Sequence, residues 1–174
     1  MQRLLPLLAF AAVCACSSPG IEVEHEYGRA SFSGFGPNYS WLEMSQTDLT
    51  AEPADTKTLV PTPEVEAFIR QTIDNELRVK GYTKVSGDKV DFQVASRTSK
   101  KFAVARPNWD LEQYEEGGLE VFMLQPQSGD LMWRGIARAA LDMTLTPTQR
   151  RERIREGVKL MLNAFPNQGQ EPKR

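Results

Sequence analysis

The sequence predicts an α+β fold: a two-layer domain in which an antiparallel or mixed sheet of about four strands carries two helices on one face, in the order β-α-β-β-β-α. Three observations predict it. The stretch from Gly117 to Leu141, GGLEVFMLQPQSGDLMWRGIARAAL, has two runs rich in Val, Leu, Phe, Met and Trp on either side of Pro126-Gln127-Ser128-Gly129, and reads as a β-hairpin. Two other segments open on Thr-Pro and then place apolar residues at helical spacing, from Thr62 to Gly81 and from Thr146 to Phe165. Val90, Phe92 and Val94 alternate with Asp91, Gln93 and Ala95, the period of a half-buried strand.

The chain opens on MQRLLPLLAFAAVCAC, one basic residue followed by an apolar run from Leu4 to Val13 that is too short to span a bilayer and suits the core of a signal peptide. Val13-Cys14-Ala15-Cys16 resembles a bacterial lipobox, in which an aliphatic residue and then small residues precede the cysteine that is lipidated. Residues 1–15 are therefore expected to be removed and Cys16 to become the lipidated first residue. Cys14 fits less well, because bulky Val13 would stand next to the cut. An ordinary secretory signal cleaved near Ala15 is the alternative. With Cys16 in a thioether no disulfide can form, so packing alone must stabilise the fold. By the sorting rules of Gram-negative bacteria, a residue other than Asp after the cysteine, here Ser17, implies the outer membrane.

Residues 16–20 form a tether, and one domain is expected over 21–166. Ile21 and Val23, then Phe32, Phe35, Tyr39 and Trp41, suggest one or two strands bent at Gly34, Gly36 and Pro37. Glu43 to Thr62 is polar, has no period and reads as a long loop, either functional or disordered. The first helix has Thr62 as N-cap, Pro63 at the first position and Glu64 in the positive first turn. Its apolar face is Val65, Phe68, Ile69, Ile73 and Leu77, and Gly81 is its stop. The next strand runs from Val90 toward Thr98, and polar Arg106 to Glu116 connects it to the hairpin, with Trp109 and Tyr114 as a binding rim or a packed loop. With 126–129 as the turn, Leu124 faces Leu131 and Phe122 faces Trp133, an aromatic pair worth about 0.5–1 kcal/mol beyond burial. The last helix adds a capping box from Thr146 to Gln149, and buries Ile154, Val158, Met161, Leu162 and Phe165. Its remaining surface is crowded with Arg150, Arg151, Arg153, Arg155 and Lys159, a solvated face or a surface for anionic lipid. Residues 167–174 read as a disordered tail.

The hairpin, together with Phe32, Gly34, Tyr39 and Trp41, Lys80-Gly81-Tyr82, Asp91-Phe92-Gln93-Val94 and Phe165-Pro166 in that order, is similar to a family of bacterial lipoproteins catalogued as domain of unknown function 4136. The resemblance implies a fold and a compartment and no reaction.

Composition narrows the function. Lys and Arg number 21 against 23 Asp and Glu, and the one charged residue of the leader is Arg3, so the mature chain is more acidic still, which argues against nucleic acid as partner. No cofactor and no metal are expected: His25 is the only histidine and the mature chain offers no free thiol. No nucleophile elbow or phosphate loop is present, so no catalytic residue is assigned. Both hairpin faces carry apolar residues, Phe122, Leu124, Leu131 and Trp133 on one and Val121, Met123, Met132 and Ile136 on the other, while two helices cover one face only. Met132, Arg134, Ile136 and Arg138 are thus a candidate partner-binding surface. The expected function is that of a non-catalytic outer-membrane lipoprotein facing the periplasm, with the membrane and an envelope protein as partners, in a binding or structural role. The alternative is a cell-wall-directed hydrolase with paired carboxylates, Glu115 with Glu116 or Asp48 with Asp55.

Overall fold

The computed structural model describes residues 20–28, 36–42, 56–87, 89–105 and 112–170. In chain order the elements are β1 (Ile21–Tyr27), β2 (Asn38–Trp41), β3 (Thr56–Leu59), α1 (Pro63–Val79), β4 (Thr83–Lys84), β5 (Phe92–Ala105), β6 (Glu112–Leu124), β7 (Leu131–Ala140) and α2 (Pro147–Asn163). The sheet is mixed and has seven strands, not about four, in the order β1-β7-β6-β5-β2-β4 with β3 paired to β5. The additional strands are those whose side chains carry no pattern. Thr56–Leu59 falls in the segment expected to be a loop and becomes a strand through antiparallel pairing with Thr98–Lys101, and β4 is two exposed residues held parallel to β2. Residues 43–55 of that expected loop lie outside the described part. The two central strands are also longer than their apolar runs: β5 continues to Ala105 and β6 starts at Glu112, inside the segment read as a connection. Phe102 in this extension is 67% exposed, so no burial marks it as strand.

Both helices contribute to one core with the face of the sheet that bears Phe92, Val94, Leu119, Val121, Met123 and Trp133. From α1 come Ile69, Ile73 and Leu77, and from α2 Val158, Met161 and Leu162, as the helical spacing requires. The ends are specified locally. Gly81 takes φ 92° after Lys80, Tyr82 N–H donates to Leu77 O and Gly81 N–H to Arg78 O, which is a Schellman stop. Thr146 and Gln149 form the expected capping box. Asp74 of α1 binds the helix to β2, because Tyr39 Oη and Trp41 Nε1 both donate to its Oδ1 at 2.8 Å. Burial, and then that bond to Asp74, push the Tyr39 hydroxyl well above its ordinary range, so it stays a donor. At the C-terminal ends of the helices Lys80 Nζ donates to Phe165 O at 2.8 Å and Tyr82 Oη to Pro166 O at 3.2 Å. The chain stays attached past Pro166, where Gln168 N–H donates to Lys80 O.

The hairpin turn forms over the expected residues, with Gly129 at φ 72° and Gln125 N–H donating to Asp130 O. Its register does not. Leu124 faces Leu131, but a β-bulge follows and Trp133 faces Met123, while Phe122 faces Arg134. The extra residue rotates Trp133 onto the helix side, where it is fully buried with its ring 5.2 Å from that of Phe165. Phe122 and Leu124 turn to the opposite face and pack with Ala95, Leu42 and Leu131. Gly135 completes the arrangement: a Cβ there would stand 2.3 Å from the far edge of the Trp133 ring and 2.4 Å from Met161 Cγ, so only glycine lets the indole lie along the strand beneath α2. Trp133→Ala is expected to cost about 3–5 kcal/mol as a large buried aromatic is lost. Gly135→Val should cost at least as much as ordinary overpacking, about 1–3 kcal/mol, because its collisions include the rigid ring. Urea denaturation checks both, and a near-wild-type midpoint for either would contradict this packing.

Candidate functional site

On the face away from the helices the four outermost strands on the β1 side carry charge in alternating columns. Glu24 and Glu26 stand on β1, Arg134 and Arg138 on β7, Glu116 and Glu120 on β6, and Arg97 and Lys101 on β5, brought level by the register of the pairs. Two chains of ion pairs result. One runs Glu26–Arg134–Glu120–Arg97 with contacts of 3.2, 2.7 and 2.9 Å. The other runs Glu24–Arg138–Glu116–Lys101 with contacts of 2.8, 3.9 and 3.2 Å. Arg97 and Glu120 are buried, and Arg97 Nη2 reaches both carboxylate oxygens of Glu120. The Arg97 and Arg134 guanidinium carbons each lie 5.7 Å from the centre of the Phe122 ring. Burial by itself would lower the pKa of Arg134, and the bonds to Glu120 and Glu26 outweigh it and raise it. A hydrogen bond from Arg138, and then its charge, hold the Glu24 carboxyl below its usual range.

The expected partner surface is therefore divided. Arg134, Ile136 and Arg138 share this face, with Ile136 buried between Glu24 and Glu120, whereas Met132 is the bulge residue and belongs to the helix-side core. The two arginines are bound to carboxylates on both sides instead of framing an open apolar patch. Glu115 and Glu116 point to opposite faces of β6, the first paired with Lys100 and the second with Lys101, and do not converge. His25 stacks edge-on against Tyr27 at 5.9 Å, and among the described residues no group of three His, Cys, Asp or Glu could hold a metal. Cys16, Asp48, Asp55 and Trp109 lie outside the described residues.

A second feature is an open cleft of about 390 Å³ on the helix side, which the expected surface did not include. It lies between the N-terminal halves of α1 and α2, with Val65 and Ile69 on one wall and Ile154 on the other. The helices are tied together at their C-terminal ends, over Trp133, Met123 and Phe92. Beneath their N-terminal halves the sheet presents Gly117, Ala137 and Ala139, and the space those small side chains leave is the cleft. Its signal in the sequence is the pair of small-residue runs at the open end of the hairpin, Gly117-Gly118 and Ala139-Ala140, which a reading of the apolar residues passes over. Exposed Val60 and Met143 stand at the mouth.

Removing one partner of a buried pair strands the other charge, so Glu120→Ala should destabilise the fold by about 3–5 kcal/mol. Glu26, 57% exposed at the end of the same chain, should cost less than about 1 kcal/mol on truncation to Ala. Chemical denaturation of the two variants and of the double variant checks the order, and equal costs would mean that the ladder is not graded by burial.

Comparison with solved structures places this fold among known ones. A PDZ domain protein from Parabacteroides distasonis ATCC 8503 is 14% identical with a TM-score of 0.53, matching 87% of this chain and 37% of that one, so the chain spans well under half of that structure. The PelC dodecamer from Paraburkholderia phytofirmans is 11% identical with a TM-score of 0.48, over 87% of this chain and 99% of that one. No curated protein matches. Residues 23–167, from the third residue of β1 to the turn after α2, match the family described as Domain of unknown function (DUF4136), and the chain belongs to that family.

Proposed function

We propose that the protein is a non-catalytic lipoprotein of the outer membrane of a Gram-negative cell, anchored through a lipid on Cys16 and facing the periplasm, where it binds an envelope protein or serves a structural role. The observation that carries this reading is the lipobox Val13-Cys14-Ala15-Cys16 set directly before the folded domain. The step from Cys16 to Ile21 is five residues, at most about 18 Å of extended chain. Ile21 pairs with Ala139, at the end of the sheet away from the hairpin turn, so the anchor holds that end near the bilayer and leaves the turn at 126–129 pointing away from it. The partner surface in this reading is the charged face at Arg134, Ile136 and Arg138, without Met132. A hydrolase has no favouring observation, since Glu115 and Glu116 are turned apart and each has a lysine partner.

Cys16→Ser is expected to move the protein from the membrane to the soluble periplasmic fraction, while Cys14→Ser leaves it anchored. Fractionation followed by mass analysis of the mature N-terminus checks this. A lipid found on Cys14, or an unmodified Cys16 in the membrane fraction, would end the reading. A photo-crosslinking residue at Glu24, 66% exposed on the charged face, is expected to capture one defined envelope protein in living cells. No capture there would leave the structural role.

A further inference from the structure

The cleft between the helix N-termini has the volume of a ligand site, within the usual range of about 300–1,000 Å³. Its interior is suited to one kind of occupant. The walls are Val65, Ile69 and Ile154, and the floor is Gly117, Ala137 and Ala139 with Leu119 and Thr98 beside them. The cations at its edge are turned to the protein: Arg153 Nη1 donates to Ala140 O and Arg150 Nε to Leu145 O. An open, flexible, aliphatic group fits this surface, and a ligand with a planar polar core does not. Val60 and Met143, 84% and 79% exposed, extend the apolar surface outward past the mouth. The position of the cleft points to the source of that group. Ile21, the first residue of β1, is itself one of the lining residues, and the four residues 17–20 are all that separate it from Cys16.

We infer that the cleft holds one of the acyl chains carried by Cys16 of the same molecule. The inference rests on the lipidation proposed above. The link of at most about 18 Å reaches from the cleft to the cysteine. A cysteine with a diacylglyceryl group and an N-acyl chain has more chains than the two that stable anchoring needs, so one can leave the bilayer while the others hold the protein. The exchange is of hydrocarbon for hydrocarbon, and it seats the helix N-termini, with Arg150 and Arg153, against the membrane surface.

The test uses cis-parinaric acid, a fluorescent fatty acid, with two forms of the full chain: Cys16→Ser protein from the soluble fraction, and lipidated protein in vesicles of phosphatidylethanolamine and phosphatidylglycerol with uptake by protein-free vesicles subtracted. The Cys16→Ser protein is expected to bind one probe per chain. Adding Val60→Glu and Met143→Glu, both at exposed positions where folding is spared, should weaken that binding about tenfold by placing charge at the mouth. The lipidated protein should bind the probe about tenfold or more weakly, because a tethered chain competes at an effective concentration in the millimolar range. Failure of the Cys16→Ser protein to bind, or binding indifferent to the mouth substitutions, overturns the acyl site. Equal binding by both forms, with the lipid confirmed by mass, overturns the tethered chain as occupant and assigns the cleft to an acyl chain from another lipid. Absence of the lipid on Cys16 overturns the anchoring itself, and this occupant with it, and is read by mass independently of any binding.

Discussion

The fold depends on Trp133 lying over Gly135. The indole can reach the core only because the bulge at Met132 gives β7 one residue more than β6. It can lie flat only because the residue two further along the strand has no side chain to lift it. Trp133 thereby joins an aromatic group centred on Phe165 and Phe92, in which Phe165 touches Trp133, Phe92 and Tyr82, and Phe92 touches Tyr39, so that β2, β5, β7 and the end of α2 meet in one place. The same bulge sends Phe122 and Leu124 to the other face. One local irregularity thus decides what each face of the hairpin is for, because side chains alternate along a strand and a shift of one residue exchanges them.

Side-chain size along the strands then shapes the helix layer. Where the sheet is bulky the C-terminal ends of the helices are joined by Lys80, Tyr82 and Gln168. Over Gly117, Ala137 and Ala139 they cannot fill the space with their own Val65, Ile69 and Ile154, and the cleft opens. Close packing at one end and an apolar vacancy at the other follow from the same two strands, and the vacancy falls beside the residue at which the chain enters the domain.

The other face is governed by electrostatics. Four adjacent strands with one sign of charge per column place the charges of β7 and β6 between opposites, and the pairs grade from exposed at β1 to buried at Arg97 and Glu120. The inner pair is expensive to desolvate, and it forms only in this strand order and this register. The acidic column on β1, an edge strand, also discourages pairing with a further strand.

Read alone, the sequence determined the two helices, with their faces and their stops, and the hairpin turn, because capping, glycine conformation and helical period act among residues within about one to two turns of each other. It placed Thr146 with Gln149, Gly81 and Gly129 where they are found. It also carried the ordered motifs on which the family was legible. Tertiary structure decided the rest. The bulge that parts Phe122 from Trp133 has no local mark, since Met132 is as apolar as its neighbours. Thr56–Leu59 is strand only because β5 lies beside it, and the ladder exists only because Glu26 and Arg134, 108 residues apart, meet across two edges of backbone. The cleft is made of what is missing, the side chains that Gly117, Ala137 and Ala139 do not have, and an absence acquires a location only once the helices have been laid across it.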